Sequence, residues 1–137
     1  MKKYIIILSG ILSAVVVLLM VCYVLRDNPE LKIETGDMKS ISVYYFDKDH
    51  KDAVPIDIND FAEYYNSISN VSPTDGGGST PDSLIKIELY SGTIIEIYDD
   101  LHYKYPLKIC INEHGEETKY YAGEQKQIEE ILKGKYK

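Results

Sequence analysis

The chain opens with one long apolar stretch and continues with short segments in which apolar and polar positions alternate. Between residues 4 and 25 there is no charged side chain, and the few positions that are not hydrophobic are Ser or Gly. At about 1.5 Å per residue, a helix of this length matches a hydrocarbon core of roughly 30 Å. The pattern therefore predicts a transmembrane helix, or uncleaved signal anchor, over residues 4–25.

The charges beside this stretch predict its orientation. Lys2 and Lys3 precede the apolar run, whereas Arg26 follows it with acidic residues close behind. Because positive residues favour the cytoplasmic side, residues 1–3 are expected to form a cytoplasmic tail. Everything after Arg26 is then outside, in a single-pass protein of the cell membrane.

Two other interpretations of the apolar stretch stay open. A cleaved signal peptide would release a secreted protein, but it normally has an apolar region of about 7–15 residues before a small-residue cleavage site. This run is longer, and no such site follows it. Lipidation at Cys22 would require a small residue where Val21 stands, and Cys22 lies inside the run. The anchor is the favoured interpretation.

The residues after the membrane divide into a tether and a domain. Residues 26–39 are polar and contain Pro29 and Gly36, which predicts a short tether. The alternating residues 41–46 predict the first strand of a domain over residues 40–137. A turn over residues 47–52 and a short edge strand over residues 53–56 follow.

Two later segments have the period of a helix. Asp57 is a suitable N-cap, and the residues after it place one apolar face at helical spacing: Ile58, Phe61, Ala62, Tyr65 and Ile68. This helix is expected to end near Ser69. Residues 70–82, rich in Gly, Ser and Pro, are predicted to be a flexible loop. A closing helix is predicted over residues 124–133, stopped by Gly134.

The clearest strands form a hairpin over residues 84–89 and 93–98. A two-residue turn would place the two isoleucine sets on opposite faces, which a half-buried sheet forbids. A three-residue loop over residues 90–92 instead pairs Ile87 with Ile95, and it places Gly92 at the left-handed bulge position. Two more strands are predicted over residues 103–112 and 118–122, with a turn at His114.

Together these elements predict an α+β domain. The expected architecture is one antiparallel sheet of about five to six strands with two helices on one face, preceded by the transmembrane helix.

Charge and cysteine content narrow the function. The chain has a net charge of −7, and residues 1–30 carry three basic and two acidic side chains, so the outer part carries −8. Such an acidic domain is a poor partner for nucleic acid or anionic lipid. Of the two cysteines, Cys22 lies in the apolar run and Cys110 in the domain, so no disulfide framework is expected.

The sequence offers weak candidates for a metal and none for catalysis. Asp47, Asp49 and Asp52 could form a loose oxygen-lined site, but an EF-hand would need further ligands and a Gly that are absent. The histidines His50, His102 and His114 have no metal-ligand spacing to one another. Cys110 alternates with apolar residues and has no activating partner besides Lys108. We therefore expect no cofactor and no enzymatic activity.

Tyrosines give the most suggestive surface. The chain has 13 tyrosines and no tryptophan, so tyrosine is the aromatic that could build a binding face. If the aliphatic residues point inward, the opposite face carries a predicted ligand-binding set: Tyr44, Lys86, Glu88, Glu96 and Tyr98. Tyrosine offers a flat apolar ring with a hydroxyl, which suits a sugar or an extended peptide. The plainer alternative is that tyrosine is a common residue of half-exposed strands.

Four features of the chain together carry a resemblance to a group of bacterial proteins. They are the Met1-Lys-Lys-Tyr start before the apolar run, the body rich in Ile, Lys, Tyr, Asn and Asp, the Ser91-Gly92-Thr93 turn and the closing helical segment over residues 127–132. In these features the chain resembles small, functionally uncharacterised exported or membrane-anchored proteins of low-GC Gram-positive bacteria. The resemblance implies an extracytoplasmic location and brings no catalytic residues.

The leading hypothesis is a membrane-tethered extracytoplasmic binding or interaction module without enzymatic activity. Its ligand would be a protein or a cell-wall glycan outside the cell. One alternative is a regulatory or inhibitory partner of another membrane or cell-wall protein, recognised through a sheet edge. Another is a metal-dependent, enzyme-like domain that uses the Asp and His residues of the turns.

Overall fold

The computed structural model describes residues 2–24, 31–46, 54–76, 80–99 and 105–134. Helix α1 spans Lys2–Val24, and a 3₁₀ turn spans Thr35–Asp37. The remaining elements are β1 (Met38–Tyr45), β2 (Val54–Pro55), α2 (Ile58–Asn66), β3 (Ser69–Pro73), β4 (Ser83–Leu89), β5 (Ile94–Asp99), β6 (Leu107–Asn112), β7 (Thr118–Glu124) and α3 (Lys126–Leu132). The fold class is α+β, as the sequence predicts.

The strands form one antiparallel sheet in the order β2-β1-β4-β5-β6-β7-β3. Within the described residues it has seven strands, slightly more than the five to six predicted. Helices α2 and α3 pack on one face of it, in contact with each other and with β1. The domain therefore has two layers, a sheet and a helical layer.

The core lies between these layers and is mainly aliphatic. Alternate residues of the four central strands point into it: Ile41, Val43, Ile85, Ile87, Ile95, Ile97, Leu107 and Ile109. The helices contribute their apolar stripes: Phe61, Ala62, Tyr65, Ile128, Ile131 and Leu132. Because successive strand residues alternate sides, every intervening residue of these strands lies on the other face.

Side-chain caps define where the two helices begin. The Asp57 carboxylate accepts hydrogen bonds from the backbone N–H groups of Asn59 and Asp60 at 2.9 and 3.1 Å, as predicted for an N-cap. Helix α2 ends at Asn66, earlier than predicted, because β3 starts at Ser69. In α3 the cap is Gln125, so the helix begins at Lys126, two residues later than predicted, and Glu124 still belongs to β7.

The central hairpin is confirmed in its register. Ile85 pairs with Ile97 and Ile87 with Ile95, so both isoleucine sets face the helices. Gly92 has a φ of 90°, the left-handed conformation expected at the bulge position. The turn after β6 also falls where predicted, with His114 and Gly115 both at positive φ.

The first four residues of the predicted flexible loop belong to a strand, so that prediction was wrong for residues 70–73. Strand β3 pairs with the outer edge of β7, with Ser72 opposite Ala122. The register shifts between Ser69 and Ser72, where Asn70 has a φ of 53°. A polar segment of low strand propensity becomes a strand here because β7 offers an unpaired backbone edge.

The predicted tether is also shorter than expected, because the domain includes residues 31–39. The Asn66 side chain holds the backbone of Ile33 by two hydrogen bonds of 2.8 Å, one to its N–H and one to its C=O. Ile33 and Met38 are buried in the core, and Met38 already begins β1. Helix α1, in contrast, is exposed from Lys2 to Cys22 and is the one helix of the described chain long and apolar enough to cross a membrane.

Candidate functional site

The sheet face turned away from the helices carries all five residues of the predicted ligand-binding set. This open face takes alternate residues of each strand, including Tyr44 from β1, Lys86 and Glu88 from β4, and Glu96 and Tyr98 from β5. The strand register places Lys86 directly beside Glu96. The predicted residues therefore share one face, but they do not form one site.

The part of the open face on β1 and β4 is occupied by its own ion pairs. The Lys86 ammonium lies 2.9 Å from the Glu88 carboxylate, and Lys39 lies 3.9 Å from the same carboxylate. The hydrogen bond to Glu88 raises the pKa of Lys86, and the same bond lowers the pKa of Glu88. These charged side chains satisfy one another.

The part of the open face on β5, β6 and β7 contains a cleft of about 500 Å³. It is lined by Gly76, Ile94, Glu96, Tyr98, Cys110, Asn112, Thr118 and Tyr120. Of the predicted set, Glu96 and Tyr98 belong to the cleft, whereas Tyr44, Lys86 and Glu88 lie outside it. A volume of this size is within the range of about 300–1,000 Å³ that is typical of small-molecule sites.

Strand register arranges the cleft in rows across the three strands. The middle row is Glu96, Cys110 and Tyr120, which pair in sequence from β5 through β6 to β7. A second row, towards the β6–β7 turn, is Ile94, Asn112 and Thr118. The side chains of each row are neighbours at the spacing of adjacent strands, about 4.8 Å apart in the hydrogen-bonding direction.

One wall of the cleft is the chain that follows β3. The backbone N–H of Thr74 donates to the C=O of Tyr120 at 2.9 Å, which holds this segment against β7. A Cβ on Gly76 would lie 2.9 Å from the Tyr120 ring, so only glycine fits without displacing that ring. The close approach of residues 74–76 thus determines how Tyr120 faces the cleft.

The floor of the cleft contains a buried thiol. Cys110 is 7% exposed, and its Sγ lies 3.7 Å from the Tyr98 hydroxyl, to which it can donate a weak hydrogen bond. Burial raises the pKa of the Cys110 thiol, outweighing the opposing effect of Tyr98 and of Lys108. The group is therefore a protonated thiol at neutral pH and a poor nucleophile.

A buried ammonium group lies at the margin of the cleft. Lys108 is fully buried although it points to the open face, opposite Tyr98 on β5. Its Nζ is 5.5 Å from the centroid of the Tyr120 ring, within the distance of a cation–π contact. The region around the cleft therefore contains both a negative charge, on Glu96, and a positive one.

The polar side chains of the cleft differ in which hydrogen-bonding groups remain available to a ligand. The Asn112 amide is used internally, since it donates to the Thr118 hydroxyl at 3.0 Å and accepts from the Gly115 N–H at 2.8 Å. The Thr118 hydroxyl accepts from Asn112 and keeps its own proton to donate. Within the described residues, Glu96 has no ion pair, because its neighbour Lys86 is bonded to Glu88.

The metal candidates are not part of this site. Asp47, Asp49 and Asp52, together with His50 and His102, lie outside the described residues. His114 is exposed at the β6–β7 turn. The part of the chain that the structure describes contains no group of three or more His, Cys, Asp or Glu side chains that could hold a metal ion.

Most residues of the cleft were missed by reasoning from the sequence, although the signal for several was present. The inward placement of Ile109 already assigns Cys110 to the other face, and the strand after the turn then brings Tyr120 beside it. What the sequence did not indicate is the strand β3, because its composition is that of a loop. Without β3, nothing in the sequence places Gly76 against Tyr120, and the open face is then expected to be flat rather than concave.

Comparisons of the chain with protein-family models, with curated proteins and with solved structures find no match. Function is therefore inferred from the cleft and from the N-terminal helix.

Proposed function

We propose that the protein is a membrane-anchored extracytoplasmic binding module that holds its ligand in the cleft on β5, β6 and β7 and catalyses no reaction. The observation that carries this proposal is the cleft itself, about 500 Å³ in volume and lined by two tyrosines, a carboxylate and a hydroxyl. Concave sites with apolar walls and a few converging polar groups are the usual form of a ligand site.

The N-terminal helix supports the location. Its side chains from Lys2 to Cys22 are all exposed, as expected for a helix whose apolar surface is covered by lipid. Lys2 and Lys3 favour a cytoplasmic N-terminus. The chain from Val24 to the start of the domain at Leu31 can reach at most about 25 Å. The cleft would then lie close to the outer surface of the membrane.

The chemistry of the cleft supports binding rather than catalysis. Its thiol is protonated, and the Glu96 carboxylate has no second carboxylate or histidine beside it among the described residues that line the cleft. General acid–base catalysis of hydrolysis normally requires two such groups with different pKa values.

Thiol labelling in native membranes tests whether the cleft is occupied. In a Cys22→Ala background, Thr118→Cys or Ile94→Cys places a reporter in the cleft, and Ser91→Cys places a control on the exposed β4–β5 turn. We expect an impermeant maleimide to label both cleft reporters more slowly in native membranes than in the purified protein, and to label Ser91→Cys equally in both. Peptide mass spectrometry separates these labels from that of Cys110. Equal rates at all three positions would contradict the proposal.

A further inference from the structure

We infer that the ligand of the cleft is a neutral, polyhydroxylated compound, a short glycan. This inference rests on the proposed function, since it assumes that the cleft is a binding site. Four properties of the cleft support it: charge, aromatic surface, hydrogen-bonding groups and the position of its strands in the sheet.

The charges around the cleft favour a ligand without net charge. Glu96 provides a carboxylate on β5, and Lys108 a buried ammonium on β6, two residues from Cys110, which pairs with Glu96. A strongly anionic ligand would be repelled by the Glu96 carboxylate, and the Lys108 ammonium already contacts the Tyr120 ring. A neutral ligand avoids this repulsion.

The aromatic surface favours a ligand with a flat apolar face. Tyr98 and Tyr120 lie on either side of Cys110, one on β5 and one on β7, and both line the cleft. Each ring combines an apolar face with a hydroxyl group. A sugar ring has the matching combination of C–H faces and peripheral hydroxyls.

The hydrogen-bonding groups favour hydroxyls on the ligand. Thr118 donates its proton, because its oxygen already accepts from Asn112 at 3.0 Å. Glu96, in the neighbouring row, can only accept. A hydroxyl group both donates and accepts, so neighbouring hydroxyls of one sugar can satisfy both side chains.

The position of the cleft in the sheet argues against an extended peptide. Peptides that add to a sheet need an edge strand with free backbone groups. The strands that form the cleft are interior: β5 pairs with β4 and β6, and β7 pairs with β6 and β3. The cleft therefore presents side chains rather than backbone, which suits recognition of hydroxyls.

The test uses the full-length protein in lipid nanodiscs and ligand-observed NMR. The probes are a β-linked N-acetylglucosamine oligomer and an α-linked glucose oligomer, with choline as the cationic probe and an uncharged hexapeptide as the peptide probe. The cleft variants are Thr118→Val, Tyr120→Leu and Glu96→Gln. The control, Tyr44→Leu, lies on the open face outside the cleft. Circular dichroism verifies that each variant is folded.

We expect at least one neutral oligosaccharide to bind. Tyr120→Leu should weaken its binding about tenfold or more, because an aromatic contact is lost, and Thr118→Val about fivefold, because a hydrogen bond is lost. Glu96→Gln should keep most of the affinity, since the amide oxygen still accepts a hydrogen bond. The control Tyr44→Leu should bind as the natural protein does.

Other outcomes separate this inference from the function on which it rests. Binding of choline or of the peptide in the cleft, with both glycans silent, would overturn the glycan inference and leave the binding module intact. If no probe binds while Thr118→Cys and Ile94→Cys are still protected in native membranes, the glycan inference is likewise overturned and the binding module stands. If no probe binds and the three cysteine positions are labelled at equal rates in native membranes and in the purified protein, both proposals are overturned.

Discussion

Single hydroxyl groups connect the sheet to the C-terminal helix of the domain. The Ser83 hydroxyl donates to the C=O of Leu132 at 2.7 Å in a buried position. The Tyr45 hydroxyl donates to the C=O of Ile131 at 2.6 Å. Both carbonyls belong to the last turn of α3, whose C=O groups lack partners within the helix. Ser83 thus satisfies the buried Leu132 carbonyl, whereas the Ile131 carbonyl also accepts from the backbone N–H of Gly134 at 3.0 Å.

Removing the Ser83 hydroxyl should destabilise the domain. Ser83→Ala leaves the Leu132 carbonyl buried without this partner, which costs about 1–3 kcal/mol of the free energy of unfolding. Ser67→Ala is the matched control, because the Ser67 hydroxyl also donates to a helix carbonyl, of Tyr64 at 2.9 Å, but is exposed. Its loss should cost less than about 0.5 kcal/mol, since water replaces the bond. Urea unfolding measures both, and equal losses would show that burial is not the cause.

Buried tyrosines should make the domain less stable in alkali. Burial raises the pKa of Tyr45 and of Tyr65, and Tyr121 raises that of Tyr65 further. Each group is more acidic in the unfolded chain, where its pKa is about 10. Its contribution to stability is therefore fully present below pH 10 and is lost as pH rises towards the folded pKa. The loss is up to about 1.4 kcal/mol per pH unit for Tyr65 and smaller for Tyr45, because solvent reaches that partly buried side chain.

Phenylalanine substitutions test this pH dependence. The free energy of unfolding of the double variant Tyr45→Phe, Tyr65→Phe should fall less steeply above pH 10 than that of the natural protein, although Tyr45→Phe also loses a hydrogen bond at every pH. Tyr90→Phe is the control, because Tyr90 is 72% exposed. Urea unfolding between pH 7 and pH 11.5 gives the slopes. A double variant with the slope of the natural protein would contradict the assignment.

At the scale of elements, two different causes determine where strands form. One is seen in the β4–β5 hairpin and the other in strand β3. The hairpin register follows from alternation alone, because a shift by one residue would expose one of its isoleucine sets. Strand β3 has no such pattern and depends on the free edge of β7. Gly123 in β7 lets the chain before β3 approach closely, since a Cβ there would lie 2.7 Å from the Ile68 side chain.

Adding a methyl group at Gly123 should loosen the β3–β7 contact. Gly123→Ala forces the branched side chain of Ile68 to move, and overpacking of this kind costs about 1–3 kcal/mol. Gly36→Ala is the control, because no atom lies within 4 Å of a Cβ at that position, so its effect should stay within about 0.5 kcal/mol. Hydrogen exchange should show faster exchange in β3 for Gly123→Ala alone. Unchanged protection of β3 would mean that Ile68 has room to adjust.

At the scale of the whole molecule, an exposed apolar helix is followed after a few residues by a folded, acidic domain. The domain begins at Leu31, which packs partly against the core, so little chain separates it from α1. A net charge of about −8 on the domain does not favour contact with anionic lipid headgroups. Held close to the membrane but not attracted to it, the domain would leave its open face accessible to ligand.

Labelling from outside the cell tests the proposed orientation. In a Cys22→Ala background, an impermeant maleimide should label Ser91→Cys in intact cells, because the proposed orientation places the exposed β4–β5 turn outside. Lys3→Cys should be labelled only after the membrane is made permeable, because the proposed orientation places the N-terminus inside. The opposite pattern would reverse the topology. An intact mass lower by about 25 residues would show that the apolar segment is a cleaved signal peptide instead.

The sequence by itself determined the features that depend on local periodicity. Length and absence of charge indicated the long apolar N-terminal helix, alternation set the hairpin register, and the same alternation placed Glu96, Tyr98 and Lys86 on one face. These features are predictable because each needs only the residues near it in the chain and the side on which the core lies.

Only the tertiary structure decided which part of that face forms a cleft. Lys86 and Glu88 bond to each other, whereas Glu96 joins Cys110 and Tyr120 from strands far along the chain. Strand β3 formed because β7 offered an unpaired edge, and it brought Gly76 against Tyr120. A backbone edge is satisfied by any segment that can reach it, whatever its side chains, so the residue pattern of β3 carried no signal of its partner.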